Sequence, residues 1–328
     1  MSIEPFNIIK MKSELKYSIG IDLGGTFIKF GLVCSNGELL YEGTLPTEAN
    51  ISSDKVIDNL IIAVRDVLMY AKLHQIVPIG VGIGTPGIVD RTHRIILGGA
   101  ENIAGWSNIH LSEIMEKACG LPVWVNNDAN MMGLGEQAFG VAKNFSDVLF
   151  LTIGTGIGGA IIIDNKLFGG YNNRGAELGH TPLIADGIPC ACGSVGCLEA
   201  YASTTALIRQ FKSLSEEAEV IYKEEVTGKL IIQLYLENNN IAVEVLDAHC
   251  KYLGRGIAGF VNVFSPQRVV LGGGISECGN FYIEKINEAM QKHVVSACAV
   301  NTEICAAQLG NKAGTLGSAQ WAFNCSTK

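Results

Sequence analysis

Two stretches of the sequence decide the fold: YSIGIDLGGTFIKFGLV at residues 17–33 and LFLTIGTGIGGAIII at residues 149–163. Each contains a run of branched apolar residues, a short turn rich in glycine and threonine, and a second apolar run. A β-branched run that ends in glycine is typical of a strand that enters a tight turn. We therefore expect two β-hairpins, about 130 residues apart, whose similarity is a weak internal repeat and indicates two related halves.

Two further glycine clusters follow branched apolar residues, IGVGIGTPG at residues 79–87 and VVLGGGI at residues 269–275. A strand that ends in glycines brings the backbone close to whatever lies beside it. Four such units in one chain predict an α/β protein whose strand ends line a ligand cleft.

Helices are expected between the strands. Residues 54–73 place apolar side chains at spacings of three and four, which predicts an amphipathic helix with Ser53 or Asp54 as its N-cap. Residues 241–264 predict a second helix. Residues 211–240, rich in Glu and Lys, predict a solvated helix.

Length and charge limit the function. A chain of 328 residues suggests two domains that share a cleft. A net charge of −8 without a basic run argues against nucleic acid as a partner. The longest uncharged apolar stretch, residues 148–163, is too short to span a membrane, and the N-terminus lacks the apolar block of a signal peptide. We therefore expect a cytoplasmic protein with no membrane partner.

The glycine turns raise the question of a nucleotide site. The pattern Gly-x-Gly-x-x-Gly occurs at residues 82–87 and 154–159, but a dinucleotide fold needs a helix directly after it. The residues that follow, IVD and AIII, predict extended chain, and no P-loop motif is present. A Rossmann site is therefore disfavoured.

The alternative is that the two hairpin turns face each other and bind a polyphosphate. Glycine N–H groups and threonine hydroxyls are suitable donors to phosphate oxygens, and Asp22 lies where a hydrated Mg²⁺ would bridge the phosphates. Plain hairpins with glycine turns remain the competing interpretation. The residues concerned are Asp22, Gly24, Gly25 and Thr26 in the first turn and Gly154, Thr155 and Gly156 in the second.

Four metal-ligating side chains lie within 18 residues: His180, Cys190, Cys192 and Cys197. One imidazole and three thiolates satisfy tetrahedral Zn²⁺ and leave no open position for a catalytic water. We therefore predict a structural zinc site. The competing interpretation is three reduced cysteines and an unrelated histidine.

Asp128 lies in the segment NNDAN (residues 126–130), after a short strand and before a helix predicted at residues 131–139. A carboxylate at the end of a strand can act as general base on a substrate hydroxyl, with neighbouring amides holding other hydroxyls. Alternatively, Asp128 or Asn130 only caps the helix.

Three polar residues flank the cysteine loop: Glu177, His180 and Glu199. Carboxylates accept hydrogen bonds from adjacent hydroxyls, so this edge could bind a polyol. The competing interpretation is solvated surface charge.

Taken together, the motifs resemble the ROK family (repressors, open reading frames and sugar kinases), within the actin-like ATPase superfamily. The resemblance runs from Ile19 to about Leu316 and keeps the family's motif order. The motifs are DLGGT, GIGTPGIVD, NNDAN, TIGTGIGG, AELGH, CxCGxxGCLE and LGGG.

This resemblance implies a two-domain α/β actin-like ATPase (ribonuclease H-like) fold, with a cleft between the lobes and a structural zinc loop. It implies an ATP-dependent hexose kinase, similar to glucokinases, in which Asp128 removes the proton from the sugar 6-hydroxyl. The implied sugar ligands are Gly87, Asn102, Asn127, Glu177, His180 and Glu199. The implied ATP ligands are Asp22, Gly24, Gly25, Thr26, Thr155, Gly156, Gly272, Gly273 and Gly274, with Mg²⁺ as the accompanying ion.

Two other functions stay open within the same resemblance. One is a kinase of N-acetylmannosamine or N-acetylglucosamine, and the other is a sugar sensor without catalytic activity. Family repressors carry an N-terminal helix-turn-helix, for which about 16 residues before the first strand are too few, so DNA binding is disfavoured.

The resemblance also suggests how the chain is organised. A homodimer is expected, as in many family members. We expect an N-terminal domain over residues 1–124 and a C-terminal domain over residues 125–311. A final helix, residues 312–328, is expected to pack back onto the first domain.

Overall fold

The computed structural model describes residues 15–100 and 103–327, and within them twelve strands and nine α-helices. The strands are β1 (Tyr17–Leu23), β2 (Phe27–Cys34), β3 (Leu39–Pro46), β4 (Val81–Thr85), β5 (Ile88–Val89), β6 (Ile96–Gly98), β7 (Val123–Asn127), β8 (Val148–Ile153), β9 (Ile157–Ile163), β10 (Lys166–Leu167), β11 (Arg268–Gly272) and β12 (Glu303–Ala306). The helices are α1 (Ser53–Leu73), α2 (Leu111–Cys119), α3 (Asp128–Phe139), α4 (Leu198–Ala202), α5 (Thr204–Glu217), α6 (Gly228–Leu236), α7 (Asn240–Phe264), α8 (Asn280–Gln291) and α9 (Ala313–Ser326).

Two five-stranded sheets repeat one topology. The first has the order β3-β2-β1-β4-β7 and the second the order β10-β9-β8-β11-β12. In each, an antiparallel hairpin (β1 with β2, β8 with β9) continues into two parallel strands. Both predicted hairpins and the internal repeat are therefore confirmed.

The predicted helices are confirmed with corrections at their ends. The N-cap of α1 is Ser52, whose hydroxyl accepts a hydrogen bond from the N–H of Lys55 at 3.1 Å, so the predicted caps Ser53 and Asp54 were wrong by one or two residues. The single helix predicted over residues 211–240 is also wrong. Glu219, just after the end of α5, has a positive φ of 56°, and α6 begins only after its N-cap Thr227.

The C-terminal helix α9 packs onto the first sheet and onto α3. A Cβ added at Gly20 would lie 2.0 Å from the carbonyl oxygen of Thr315, and one at Gly82 would lie 1.8 Å from that of Ser318. Only glycine allows this approach, so the strand glycines set the depth at which α9 lies. The expected domain boundary falls inside β7, all of which pairs with β4 in the first sheet.

Each sheet contributes one face to a large apolar core. One core includes Ile21 of β1 and Leu60 of α1, and the other includes Leu151 of β8 and Leu253 of α7. The carboxyl ends of β1, β4, β7 and β8 are left to carry polar residues. Among the helices that the structure describes, none has the length and apolar character needed to cross a membrane.

Candidate active site

Asp128 is the first residue of α3, directly after β7. The N-cap of α3 is Asn127, whose Oδ1 accepts hydrogen bonds from the N–H groups of Ala129 at 2.9 Å and Asn130 at 3.3 Å. The alternative that Asp128 or Asn130 caps this helix is therefore wrong, and the helix begins three residues earlier than predicted. The Asp128 carboxylate lies in the first turn of the helix, where its Oδ1 also accepts a hydrogen bond from the N–H of Ala129 at 2.9 Å.

The amide of Asn127 also connects two parts of the site. Its Nδ2 donates to the carbonyl oxygen of Gly87 at 3.2 Å. Gly87 has φ +93°, and a Cβ there would lie 2.6 Å from the carbonyl oxygen of Gly98, so no other residue fits this turn without strain. The loop after β4 is thereby held beside Asp128.

A cavity of about 60 Å³ lies at Asp128. Asp128, Asn127, Glu177 and Gly87 all line it, so four predicted site residues from three separate segments come together. In this structure the cavity is far smaller than ordinary ligand pockets, which occupy roughly 300–1,000 Å³. The space beside Asp128 is therefore narrow in this structure.

One cavity wall is a segment that the sequence analysis missed. Asn173 lines the cavity and donates from Nδ2 to the carbonyl oxygen of Val89 at 3.0 Å. Asn172, Asn173 and Ala176 all have positive φ. Asparagine tolerates the left-handed conformation, so the adjacent Asn172 and Asn173 could have indicated a turn. Nothing in the sequence indicated that this turn contacts Val89.

Burial and neighbouring charge raise the pKa of Asp128. Desolvation is the main cause, hydrogen bonds from backbone N–H groups oppose it, and the Glu177 carboxylate adds to it. Burial is also the main cause that raises the pKa of Glu177. His180 lowers this pKa, and the Glu199 carboxylate raises it further. The site therefore favours proton uptake at Asp128, as a general base requires.

Asp22 lies at the end of β1 and is only 6% exposed. Burial, followed by repulsion from Asp128, raises the pKa of Asp22 to about 7, while Lys29 lowers it. Its Oδ1 is buried without a hydrogen-bond partner among the described residues. A Cβ added at Gly314 in α9 would lie 2.4 Å from the Asp22 carboxyl carbon, so glycine is needed there to admit the carboxylate.

A cleft of about 230 Å³ contains Asp22 and the three glycines that follow β11, Gly272, Gly273 and Gly274. A second cavity, of about 720 Å³, adjoins it through Gly274 and is also lined by Thr155 of the second hairpin turn. Its apolar lining includes Ile153, Ile208 and Ile232. The cleft with the three glycines therefore offers backbone N–H donors, and the adjoining cavity offers apolar walls. Gly24, Gly25 and Thr26 form the turn between β1 and β2, next to Asp22.

Glu199 contacts the second hairpin turn. Its Oε2 accepts a hydrogen bond from the N–H of Ile157 at 2.8 Å, and a Cβ at Gly156 would lie 2.3 Å from the same oxygen. Glycine at position 156 therefore makes room for the Glu199 carboxylate. Of the two glutamates, Glu199 contacts the second hairpin turn, and Glu177 lines the small cavity at Asp128.

The cysteine loop brings the four predicted metal ligands together. One ligand atom from each of His180, Cys190, Cys192 and Cys197 lies within 4.8 Å of the others. Nδ1 of His180 is 3.7 Å from Sγ of Cys190, and the Sγ atoms of Cys192 and Cys197 are 3.7 Å apart. Three sulfurs and one nitrogen in this arrangement fit tetrahedral Zn²⁺. Burial raises the pKa of Cys190 to about 12, so a bound cation is needed to keep that thiol ionised.

One predicted residue, Asn102, lies outside the described residues. Within the described part, the sequence analysis also missed Lys29, Ser276, Asn311 and Gly314, which line the cleft at Asp22. They come from three segments far apart in the chain and match none of the motifs that were recognised.

The sequence matches a family model described as "ROK family" over residues 18–324. The chain belongs to the ROK family. This ROK protein is 36% identical over 316 residues to a glucokinase of Streptomyces coelicolor, which covers 93% of the chain and 97% of the relative.

Solved structures of ROK proteins share the fold. A ROK family glucokinase from Streptomyces griseus, in complex with glucose and AMPPNP, matches with a TM-score of 0.80 at 33% identity, over 94% of this chain and 99% of that one. A ROK hexokinase from Thermus thermophilus matches with a TM-score of 0.81 at 30% identity, over 95% and 99%. The family resemblance and the two-lobed actin-like ATPase fold are therefore confirmed.

Proposed function

We propose that this ROK protein is an ATP-dependent sugar kinase that transfers the γ-phosphoryl group of ATP to the 6-hydroxyl of glucose. The observation that carries the proposal is the position of Asp128, which lines the small cavity and interacts electrostatically with Asp22 in the glycine-rich cleft. Asp22 of β1 is level with Gly84 of β4, and Gly84 is level with Asn126 of β7, so Asp22 and the start of α3 with Asp128 lie at the same edge of the first sheet. The similarity to glucokinases supports the same assignment.

In the proposed reaction, the Asp128 carboxylate accepts the proton of the 6-hydroxyl as that oxygen attacks the γ-phosphorus, while the bond from this phosphorus to the β,γ-bridging oxygen breaks and ADP leaves. Phosphoryl transfer depends mostly on in-line positioning and on neutralisation of phosphate charge. A carboxylate with a raised pKa is a stronger base than an exposed one. Asn127, Glu177, Gly87 and, from the loop side, His180 and Glu199 would hold the other sugar hydroxyls.

The nucleotide would lie across the two larger spaces. The phosphates would meet the backbone N–H groups of the two hairpin turns, and Gly272, Gly273 and Gly274 would pass beneath the nucleoside. The cavity of about 720 Å³, with its isoleucine walls, has the size and apolar lining that a purine base requires. Mg²⁺ fits beside Asp22, whose buried Oδ1 has no partner among the described residues, and when bound it would neutralise phosphate charge.

The first test is ADP release by the purified protein with glucose, mannose, fructose, N-acetylglucosamine and N-acetylmannosamine, each with ATP and Mg²⁺. We expect glucose to give the highest kcat/KM, and a reaction without sugar is the control. Faster release with an N-acetylhexosamine would assign the protein to that sugar class. Sugar binding without ADP release from any of the five would identify a sensor and exclude the kinase.

Zinc is the metal that we propose for His180, Cys190, Cys192 and Cys197. Cys192→Ser removes one sulfur ligand and should abolish the near-stoichiometric zinc measured by elemental analysis. Because metal binding in such loops contributes to folding, we expect the melting temperature to fall by roughly 10 °C. Cys119→Ser, in α2 of the other lobe, is the matched control. An unchanged melting temperature with no metal in the wild type would exclude the site.

The remaining expectations stay predictions. They are a dimeric assembly, a cytoplasmic location and the domain boundaries near residues 124 and 311. Sugar and ATP are the proposed small-molecule partners.

A further inference from the structure

Glu136 is a buried acidic residue for which the proposed reaction has no use. It lies in α3, just over two turns after Asp128, and its side chain is fully buried. None of the ion pairs between residues within 15–100 and 103–327 includes it. A Cβ added at Gly140 would lie 2.0 Å from Oε2 of Glu136, so glycine there leaves room for the side chain. A buried acidic group needs hydrogen-bond partners, and these partners indicate what Glu136 does.

Both side-chain oxygens of Glu136 accept hydrogen bonds from backbone N–H groups. Oε2 accepts from Val141 at 3.0 Å, directly after the end of α3. Oε1 accepts from Gln308 at 2.9 Å and from Leu309 at 2.7 Å. These two residues lie in the connection between β12 and α9, more than 170 residues further along the chain. One side chain therefore ties α3 to that connection.

The connection between β12 and α9 forms part of the wall of the cleft that contains Asp22. Gly310 and Asn311, the next two residues after this contact, line the cleft. Helix α3 lines the same cleft through Met132, which lies one turn before Glu136 on the same face of the helix. The Glu136 side chain thus fixes one wall of the cleft relative to the helix that begins with the proposed base.

We propose that Glu136 is a positioning residue for phosphoryl transfer: it holds the backbone of Gln308 and Leu309 against α3 and so sets the position of the cleft wall relative to Asp128. The inference rests on the proposed function, which assigns the base to Asp128 and the phosphates to the cleft. In-line transfer depends on the geometry of acceptor and phosphate, and a misplacement of about 1 Å can cost about a hundredfold in rate. Glu136 lies outside the recognised motifs, so its assignment comes from its three hydrogen bonds.

The test is Glu136→Gln, measured by steady-state ADP release and by separate calorimetric titrations with ATP and with glucose. Glutamine keeps the size of the side chain, but its NH₂ group must face the N–H of Val141 or those of Gln308 and Leu309, and that contact is lost. We expect kcat to fall about ten- to hundredfold and ATP to bind about tenfold more weakly. Glucose should keep its affinity, because none of the three N–H donors to Glu136 belongs to a residue that lines the cavity at Asp128.

Asn59→Ala is the matched control. Asn59 is also a buried polar side chain that holds a distant backbone segment, since its Nδ2 donates to the carbonyl oxygen of Pro46 at 3.1 Å, and it lines none of the three cavities described above. This variant should lower the melting temperature without changing kcat or ATP affinity. If Glu136→Gln behaves in the same way, or loses glucose binding in parallel with ATP binding, the positioning role is wrong even when the wild type phosphorylates glucose.

Leu309→Pro removes one N–H donor from the same contact without altering Glu136. The φ of −80° at Leu309 lies within the range of proline, so the substitution is compatible with the local backbone. We expect the same changes as in Glu136→Gln but of smaller size, and if Glu136→Gln does not fold, as judged by circular dichroism, the same criteria apply to Leu309→Pro. Weaker ATP binding by these variants of a protein that phosphorylates none of the five sugars would support the positioning role and reject the proposed function.

Discussion

Asp128→Asn is expected to lower kcat by about 10²–10⁴-fold while glucose still binds, because the amide keeps the shape of the carboxylate but cannot accept the proton. The loss should fall on kcat rather than on KM for glucose, since Asn127 and Glu177 continue to line the cavity. Steady-state ADP release and glucose titration of the variant measure the two effects separately.

Asp58→Asn is the control for this variant, because Asp58 is an exposed carboxylate on α1. Its kcat should equal that of the wild type. Turnover of Asp128→Asn within a factor of about three of the wild type would show that Asp128 is not the base, however well its position suits that role. Loss of glucose binding together with kcat would point instead to a sugar-holding role.

Asp22→Asn is expected to have opposite effects on activity and stability. Activity should fall by at least about a hundredfold, since the proposed site for Mg²⁺ and the phosphates loses its carboxylate. The free energy of unfolding above pH 7 should rise, because an amide does not carry the buried charge that burial and Asp128 make unfavourable.

The sign follows from the two pKa values of Asp22. Its pKa is 3.8 ordinarily and about 7 in the folded protein, so between those values folding takes up a proton and stability falls as pH rises. Above pH 7 the cost is constant, with an upper bound of about 4 kcal/mol, and we expect about 1–3 kcal/mol after local relaxation. Asp22→Asn lacks this dependence.

Urea unfolding at pH 4 to 8.5, without Mg²⁺ or nucleotide, checks this prediction. The stability difference between Asp22→Asn and the wild type should be small at pH 4, grow up to about pH 7 and then stay level. If the stability difference between the two proteins does not change with pH, then folding does not raise the pKa of Asp22 in the free protein.

Much of the fold was readable from local sequence. The runs at residues 17–33 and 149–163 contain both strands of a hairpin and the turn between them, so pairing required no distant contact. The four predicted metal ligands also lie within 18 residues, so recognising them required no distant contact. Helix ends were less accessible, because Asn127 and Asp128 are equally good caps by residue type and only the backbone geometry selects Asn127.

The cleft was not readable in this way. Asp22, Lys29, Asn311 and Gly314 meet there because α9 packs against β1 through the glycines of the strands, nearly 300 residues apart in the chain. Likewise, Glu199 reaches the turn at Gly156 from the first turn of α4. No short pattern encodes such contacts.

The sequence by itself therefore determined the two hairpins, the cluster of one histidine and three cysteines, and the family, because strand periodicity, turn chemistry and ligand spacing act over a few neighbouring residues. The tertiary structure alone decided that Asp22 and Asp128 lie at the same edge of the first sheet, that Asn311 contacts the Lys29 ammonium, and that Gly314 admits a buried carboxylate. Those features depend on how closely two backbones approach, and that distance is set by packing across the whole molecule.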